Sequence, residues 1–178
     1  NMKLADIVGG KVVIHPDLLI IPAFRKLWEK DSDHATKVIS YIVLKNKWDS
    51  PYVQSMDSSS IESKLKTDFF GNSNYKLTVD EDIAEKEYKN FCYTRTLEML
   101  DNMRLKLDSI SKYYKESLGE ELDEKKIKDL LAGMTSVGNV IKSIDSLESM
   151  VKAEEITSSK IKGDAKLNPF EIPSSVKI

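Results

Sequence analysis

The residues that could do chemistry are few and widely spaced. Histidine occurs twice, as His15 and His34, and cysteine once, as Cys92. A metal site needs several His, Cys or carboxylate ligands that converge. His15 precedes a proline at a helix start and His34 follows Asp31-Ser32-Asp33, so surface and capping roles are expected for both. A small hydrolase survives as a reading only if folding gathers His15 or His34 with carboxylates in one pocket. Cys92 lies in the apolar patch Tyr88-Lys89-Asn90-Phe91-Cys92 and reads as a small buried hydrophobe, not a nucleophile. A single cysteine cannot form an internal disulfide. Asp31 and Asp33 lack the central glycine and final glutamate of a calcium loop, which leaves helix capping. Asp80, Glu81, Asp82, Glu85 and Glu87 crowd a helix start. General acid–base pairs need carboxylates in contrasting environments, whereas acid at a helix N-terminus suits the dipole, so a solvated helix start is expected. There is no Gly-rich phosphate loop and no nucleophile elbow. The expectation is a protein that is not an enzyme, with no catalytic residue, no metal and no cofactor.

Such a protein works through its elements. Gly9-Gly10 marks a turn, and Lys11-Val12-Val13-Ile14 is β-prone enough for an edge strand. From His15-Pro16, Leu19, Ile20, Phe24, Leu27 and Trp28 recur at helical spacing, with Pro22 expected to kink or divide the helix. Asp31-Ser32-Asp33 caps a second helix with the stripe Ala35, Val38, Ile39, Ile42 and Val43, ending near Asn46. Trp48 to Tyr52 reads as a loop and Ser58 to Phe70 as a short helix, closed at Gly71-Asn72-Ser73-Asn74.

Thr78-Val79-Asp80-Glu81 fits a capping box. No proline or glycine follows until Gly119, so one long helix or two nearly continuous ones are expected, with Tyr93, Leu100, Met103, Leu107, Ile110 and Tyr114 on its stripe. Gly119 closes it, and Leu122-Asp123-Glu124 opens a last helix whose stripe is Leu130, Val137, Val140, Ile144, Leu147 and Val151, ending around Ala153 to Ile156. Gly133 and Gly138 weaken its start unless small residues there admit another backbone. Two stripes joined by a short loop make an antiparallel helical hairpin. Tyr93, Tyr113 and Tyr114 could stack bases or line an interface, but helical packing is the plainer reading.

From Thr157 the amphipathic period stops. Leu167-Asn168-Pro169-Phe170-Glu171-Ile172-Pro173 sets apolar side chains between prolines, as in an extended segment that docks in a partner's groove. The fold class expected is therefore all-α: a helical bundle over residues 1–156, with a long antiparallel hairpin, and an extended C-terminal tail over 157–178.

Composition bounds the function. Of 178 residues, 40% are apolar and 31% charged, too apolar for a disordered chain. The longest apolar run, Leu18 to Phe24, is far short of the roughly 20 residues of a membrane span, so no membrane partner is expected. Twenty-seven basic residues against 29 acidic ones leave a net charge of -2, which argues against a dedicated nucleic-acid binder.

The N-terminal third, through Met2-Lys3-Leu4-Ala5-Asp6-Ile7, Lys11-Val12-Val13-Ile14, Leu19-Ile20-Ile21-Pro22-Ala23-Phe24-Arg25, Ser40-Tyr41-Ile42-Val43 and Asp49-Ser50-Pro51-Tyr52, resembles virion proteins of the crAss-like tailed bacteriophages. The likeness is to the ring proteins of their neck, the head-to-tail adaptors below the portal. It implies a structural virion protein, assembled in the host cytoplasm into a homo-oligomeric ring of twelve copies. Its partners would be the portal protein and other neck or tail ring proteins, with genomic DNA only passing through the lumen. The alternative is a cellular helical adaptor module that binds a partner protein. Residues expected at interfaces are Leu167, Phe170 and Ile172 in the tail, and Tyr113, Tyr114, Val137 and Val140 on the hairpin.

Overall fold

Glycine conformation decides the first element. The computed structural model describes residues 4–117 and 124–164. Gly9 and Gly10 both adopt positive φ (57° and 77°), the backbone of a two-residue hairpin turn whose twist matches paired strands. β1 (Ala5–Val8) and β2 (Lys11–Ile14) therefore pair antiparallel, with Ala5 opposite Ile14 and Val8 opposite Lys11. The chain is mostly helical but not all-α, because this small sheet is added to the helices. A lone two-stranded hairpin is marginal in water. This one is held by burial of Leu4 and Ala5 in the main core and by the pair between His15 Nε2 and Asp6 Oδ2 at 2.9 Å.

Pro22 divides the next helical stretch as expected. A 3-10 turn over Pro16–Ile20 ends at extended Ile21, and α1 (Pro22–Lys30) starts with the proline in its first turn. The Asp31 side chain accepts from the N–H groups of Asp33 and His34 and so caps α2 (Ser32–Asn46). Those bonds hold the Asp31 carboxyl below its usual pKa. Helix α2 is the axis of the N-terminal half. Tyr41 and Leu44 are buried beside the five stripe residues read from the sequence, because neighbours close on it from several sides. Those neighbours are α1, α4 (Ser58–Phe70), α5 (Val79–Cys92), β2 and the short α3 (Pro51–Ser55). Pro51 starts α3 where a loop was expected, since proline is well placed in a first turn. Phe24, Leu65, Ala84 and Tyr88 complete a continuous core. Cys92 packs half-buried against its edge, and burial pushes its thiol pKa up.

The long helical stretch resolves into two. Helix α5 ends at Cys92, Tyr93 is extended, and Thr94 caps α6 (Arg95–Ser117) by accepting from Leu97 N–H. Tyr93 thus sits at the break, exposed, and not on an apolar stripe. Helix α6 packs on α7 (Glu124–Asp164). Leu100 and, on α7, Val140, Ile144, Leu147 and Val151 form a second core, flanked by Met103, Leu107, Ile110 and Trp48. The stripe alternates by three and four, the spacing that keeps two helices in register. Helix α7 runs on to Asp164, past the expected end near Ala153 to Ile156, because nothing between Thr157 and Asp164 forbids helix once the preceding turns are formed. Eight residues assigned to the tail are therefore helical. Gly119, Leu122 and the tail anchors Leu167, Phe170 and Ile172 lie outside the described residues.

Candidate assembly interface

The two halves meet through a small set of polar contacts. Trp48 Nε1 donates to Glu155 Oε1 at 2.9 Å. Arg104 Nη2 donates to the Trp48 carbonyl at 3.0 Å and to Glu148 Oε1 at 2.6 Å. The N–H and hydroxyl of Ser58 both donate to Asp108 Oδ2. Trp48 anchors the join by lying on the second core while its N–H and carbonyl bind the hairpin.

A groove of about 670 Å³ runs beside these contacts. Its apolar surface comes from Val53, Met56 and Ile61 on one side and Leu105, Leu107 and Ile144 on the other. The lining also carries four carboxylates, Glu62, Asp101, Asp108 and Glu148, against two cations, Lys45 and Arg104. Three of the carboxylates have partners: Glu62 pairs with Lys45 and Lys66, Asp108 with Ser58, and Glu148 with Arg104. Asp101 is exposed and makes no hydrogen bond or ion pair among the described residues; partial desolvation of its carboxyl raises its pKa against the pull of Arg104 and Lys89. Among the described residues, the buried Arg104 Nη1 has no hydrogen-bond partner, an arrangement that costs about 1–3 kcal/mol.

Helix α7 shows a second apolar seam. Ile127, Leu131, Met134 and Ile141 remain exposed, at 43%, 60%, 63% and 45%. With Gly138 they repeat the four-three spacing of the inner seam, displaced one residue, about 100° around the helix. A Cβ on Gly138 would meet open space. Gly133 differs, because a Cβ there would collide with the Tyr114 hydroxyl, which donates to the Leu130 carbonyl at 3.1 Å. The glycine admits a tyrosine ring, whereas the sequence offered a weakened helix start or the approach of another backbone.

The residues expected at interfaces separate accordingly. Tyr113 is 63% exposed and stands free for contact. Val140 is buried between α6 and α7, Tyr114 is committed to the Gly133 turn, and Val137 is half-buried. The four outward residues of α7 were missed, although their period was readable one residue out of phase with the chosen stripe.

The acidic cluster also differs from a solvated helix start, since Glu81 and Glu85 are buried. Glu81 completes the capping box, accepting from Thr78 N–H at 2.8 Å, and meets His34 Nε2 at 2.7 Å and the Tyr75 hydroxyl at 3.1 Å. Burial alone would raise the Glu81 pKa, but these partners outweigh it and hold the carboxyl below its usual range. Burial, and then the same carboxylate, push the Tyr75 phenol up to about 12. Glu85 is likewise lowered against the pull of burial by Lys89 and Lys45. These networks join α5 to α2. His15 and His34 thus each meet one carboxylate, in separate places, and neither lines the groove.

Among the described residues, no group of three or more His, Cys, Asp or Glu is placed to hold a metal ion, and no helix is long and apolar enough to cross a membrane. Comparison with protein-family models, with characterised proteins and with solved structures returned no match.

Proposed function

We propose that the chain is a non-catalytic structural subunit that assembles with copies of itself into a closed ring, as the resemblance to neck proteins of crAss-like phages implies. In that setting it joins the portal protein to further neck or tail ring proteins, in the virion, and lets genomic DNA pass through its lumen. The observation that supports this reading is the outward seam of α7. Ile127, Leu131, Met134 and Ile141 repeat at the spacing that a facing helix completes, yet among the described residues no helix covers them. Covering each of these side chains recovers about 1 kcal/mol or more. A contact between unlike faces of neighbouring copies then closes into a ring when the rotation per copy allows it.

Native mass and negative-stain microscopy of the full chain test the proposal. A discrete ring is expected, and Leu131→Lys with Met134→Glu should disperse it while helical content is kept. A chain that stays monomeric at every concentration tested, or a ring indifferent to that double substitution, contradicts the proposal.

A further inference from the structure

We infer that the groove between the two halves seats the Lys166–Phe170 segment of a neighbouring copy, with Asp101 receiving the Lys166 ammonium; this rests on the ring reading above. The first support is charge. Asp101 is the one groove carboxylate without a partner among the described residues, and the groove lining holds four acids to two bases. A cation entering there meets an exposed carboxylate that forms no ion pair among the described residues, with Arg104 and Lys89 near enough to favour its charged form. Lys166-Leu167-Asn168-Pro169-Phe170 brings that cation beside two apolar side chains. Met56, Ile61, Leu105 and Leu107 offer apolar surface to receive Leu167 and Phe170.

The second support is reach. Helix α7 lines the groove at Ile144 and Glu148 and then continues to Asp164. The 16 residues from Glu148 to Asp164 carry the chain about 24 Å along the helix axis, at 1.5 Å per residue. Lys166 lies two residues past Asp164, and fully extended chain spans at most about 3.5 Å per residue, so its backbone can return only ~7 Å. Phe170, six residues past, can return ~20 Å. Lys166, even with its side chain extended, therefore falls well short of the groove of its own copy. A segment that fits the groove but whose lysine cannot reach it in its own subunit is placed to serve the next one. Each copy then donates one segment and offers one groove, the unlike-face pairing that rings require.

Charge exchange in the full chain tests this. Asp101→Lys and Lys166→Asp, made singly, should each weaken ring formation about tenfold by setting like charges together, and the double variant should recover it. Helical content and melting temperature check that each variant folds. Mixing chains carrying Asp101→Cys with chains carrying Lys166→Cys, then adding a short bismaleimide, should link two copies to each other. Rings that form normally with both single variants, and show no such cross-link, would overturn the groove assignment and leave the ring reading intact. A wild-type chain that forms no ring removes both. Cross-linking only within single chains that carry both cysteines would overturn delivery to the neighbour.

Discussion

The N-terminal half and the α6–α7 hairpin use similar residues to different ends. In the first, α2 is enclosed by four helices and a strand, so nearly every apolar side chain it carries is buried. In the second, two helices face each other, and α7 covers one seam while its neighbour seam stays in water. Two elongated layers cannot enclose a helix that is apolar on two sides. Composition alone therefore does not separate a core from a contact surface; the number of elements around each helix does. The first half encloses its own apolar side chains, whereas among the described residues one seam of α7 is left uncovered.

Core truncation should show the largest contrast. Phe24→Ala, at a fully buried site, should cost about 3–5 kcal/mol in denaturant unfolding. Leu131→Ala should change the stability of the dispersed subunit by about 0.5 kcal/mol or less. Comparable losses at the two sites would erase the distinction between core and surface.

The join should respond next. Arg104→Ala removes the donors to Trp48 and Glu148 and should loosen the hairpin by about 2–3 kcal/mol. Hydrogen exchange should quicken in α6 and α7 while α2 stays protected. Equal acceleration in both halves would mean that they unfold as one unit.

Acid should act mainly on the first half. Glu81 and Glu85 have lowered folded pKa values, so their contribution is present above the unfolded value of about 4.3 and is lost as pH falls through the folded values. Asp101 has the opposite sign: its raised folded pKa favours the folded state at low pH, a gain lost as pH rises through that value. A pH titration followed by circular dichroism should show stability falling below pH ~4.5, and Glu81→Gln should flatten that fall.

The smallest effects separate two glycines on one helix. Gly138→Ala should stabilise α7 by about 0.5–1 kcal/mol, because a Cβ there meets nothing. Gly133→Ala should destabilise it by about 1 kcal/mol, because the added carbon displaces Tyr114 and outweighs the gain in propensity. Thermal melts that shift the same way for both would show that Tyr114 does not pack as described.

Much of the helical framework was legible because its signals are local. Asp31 and the Thr78–Glu81 box satisfy N–H groups within a few residues of themselves, and Gly71 ends α4 in the left-handed conformation suited to it. Ser58 to Phe70 has the bounds expected from spacing alone. The break at Tyr93–Thr94 was less visible, because threonine caps helices without interrupting them everywhere it occurs. Burial of Glu81 and Glu85 could not be read locally, since their partners His34 and Lys45 come from another helix about 40 residues or more away in sequence.

What the sequence determined by itself is periodic and short-range: helix starts and stops, the Gly9-Gly10 turn, and the three-four spacing along α7. The stripe read from the sequence is the seam that α6 covers at Val140, Ile144, Leu147 and Val151. The tertiary structure alone decided that the seam one residue away stays exposed and where Trp48 and Arg104 meet. Periodicity does not report how many elements surround a helix; the position at which α6 lands, pinned by contacts with distant residues, does.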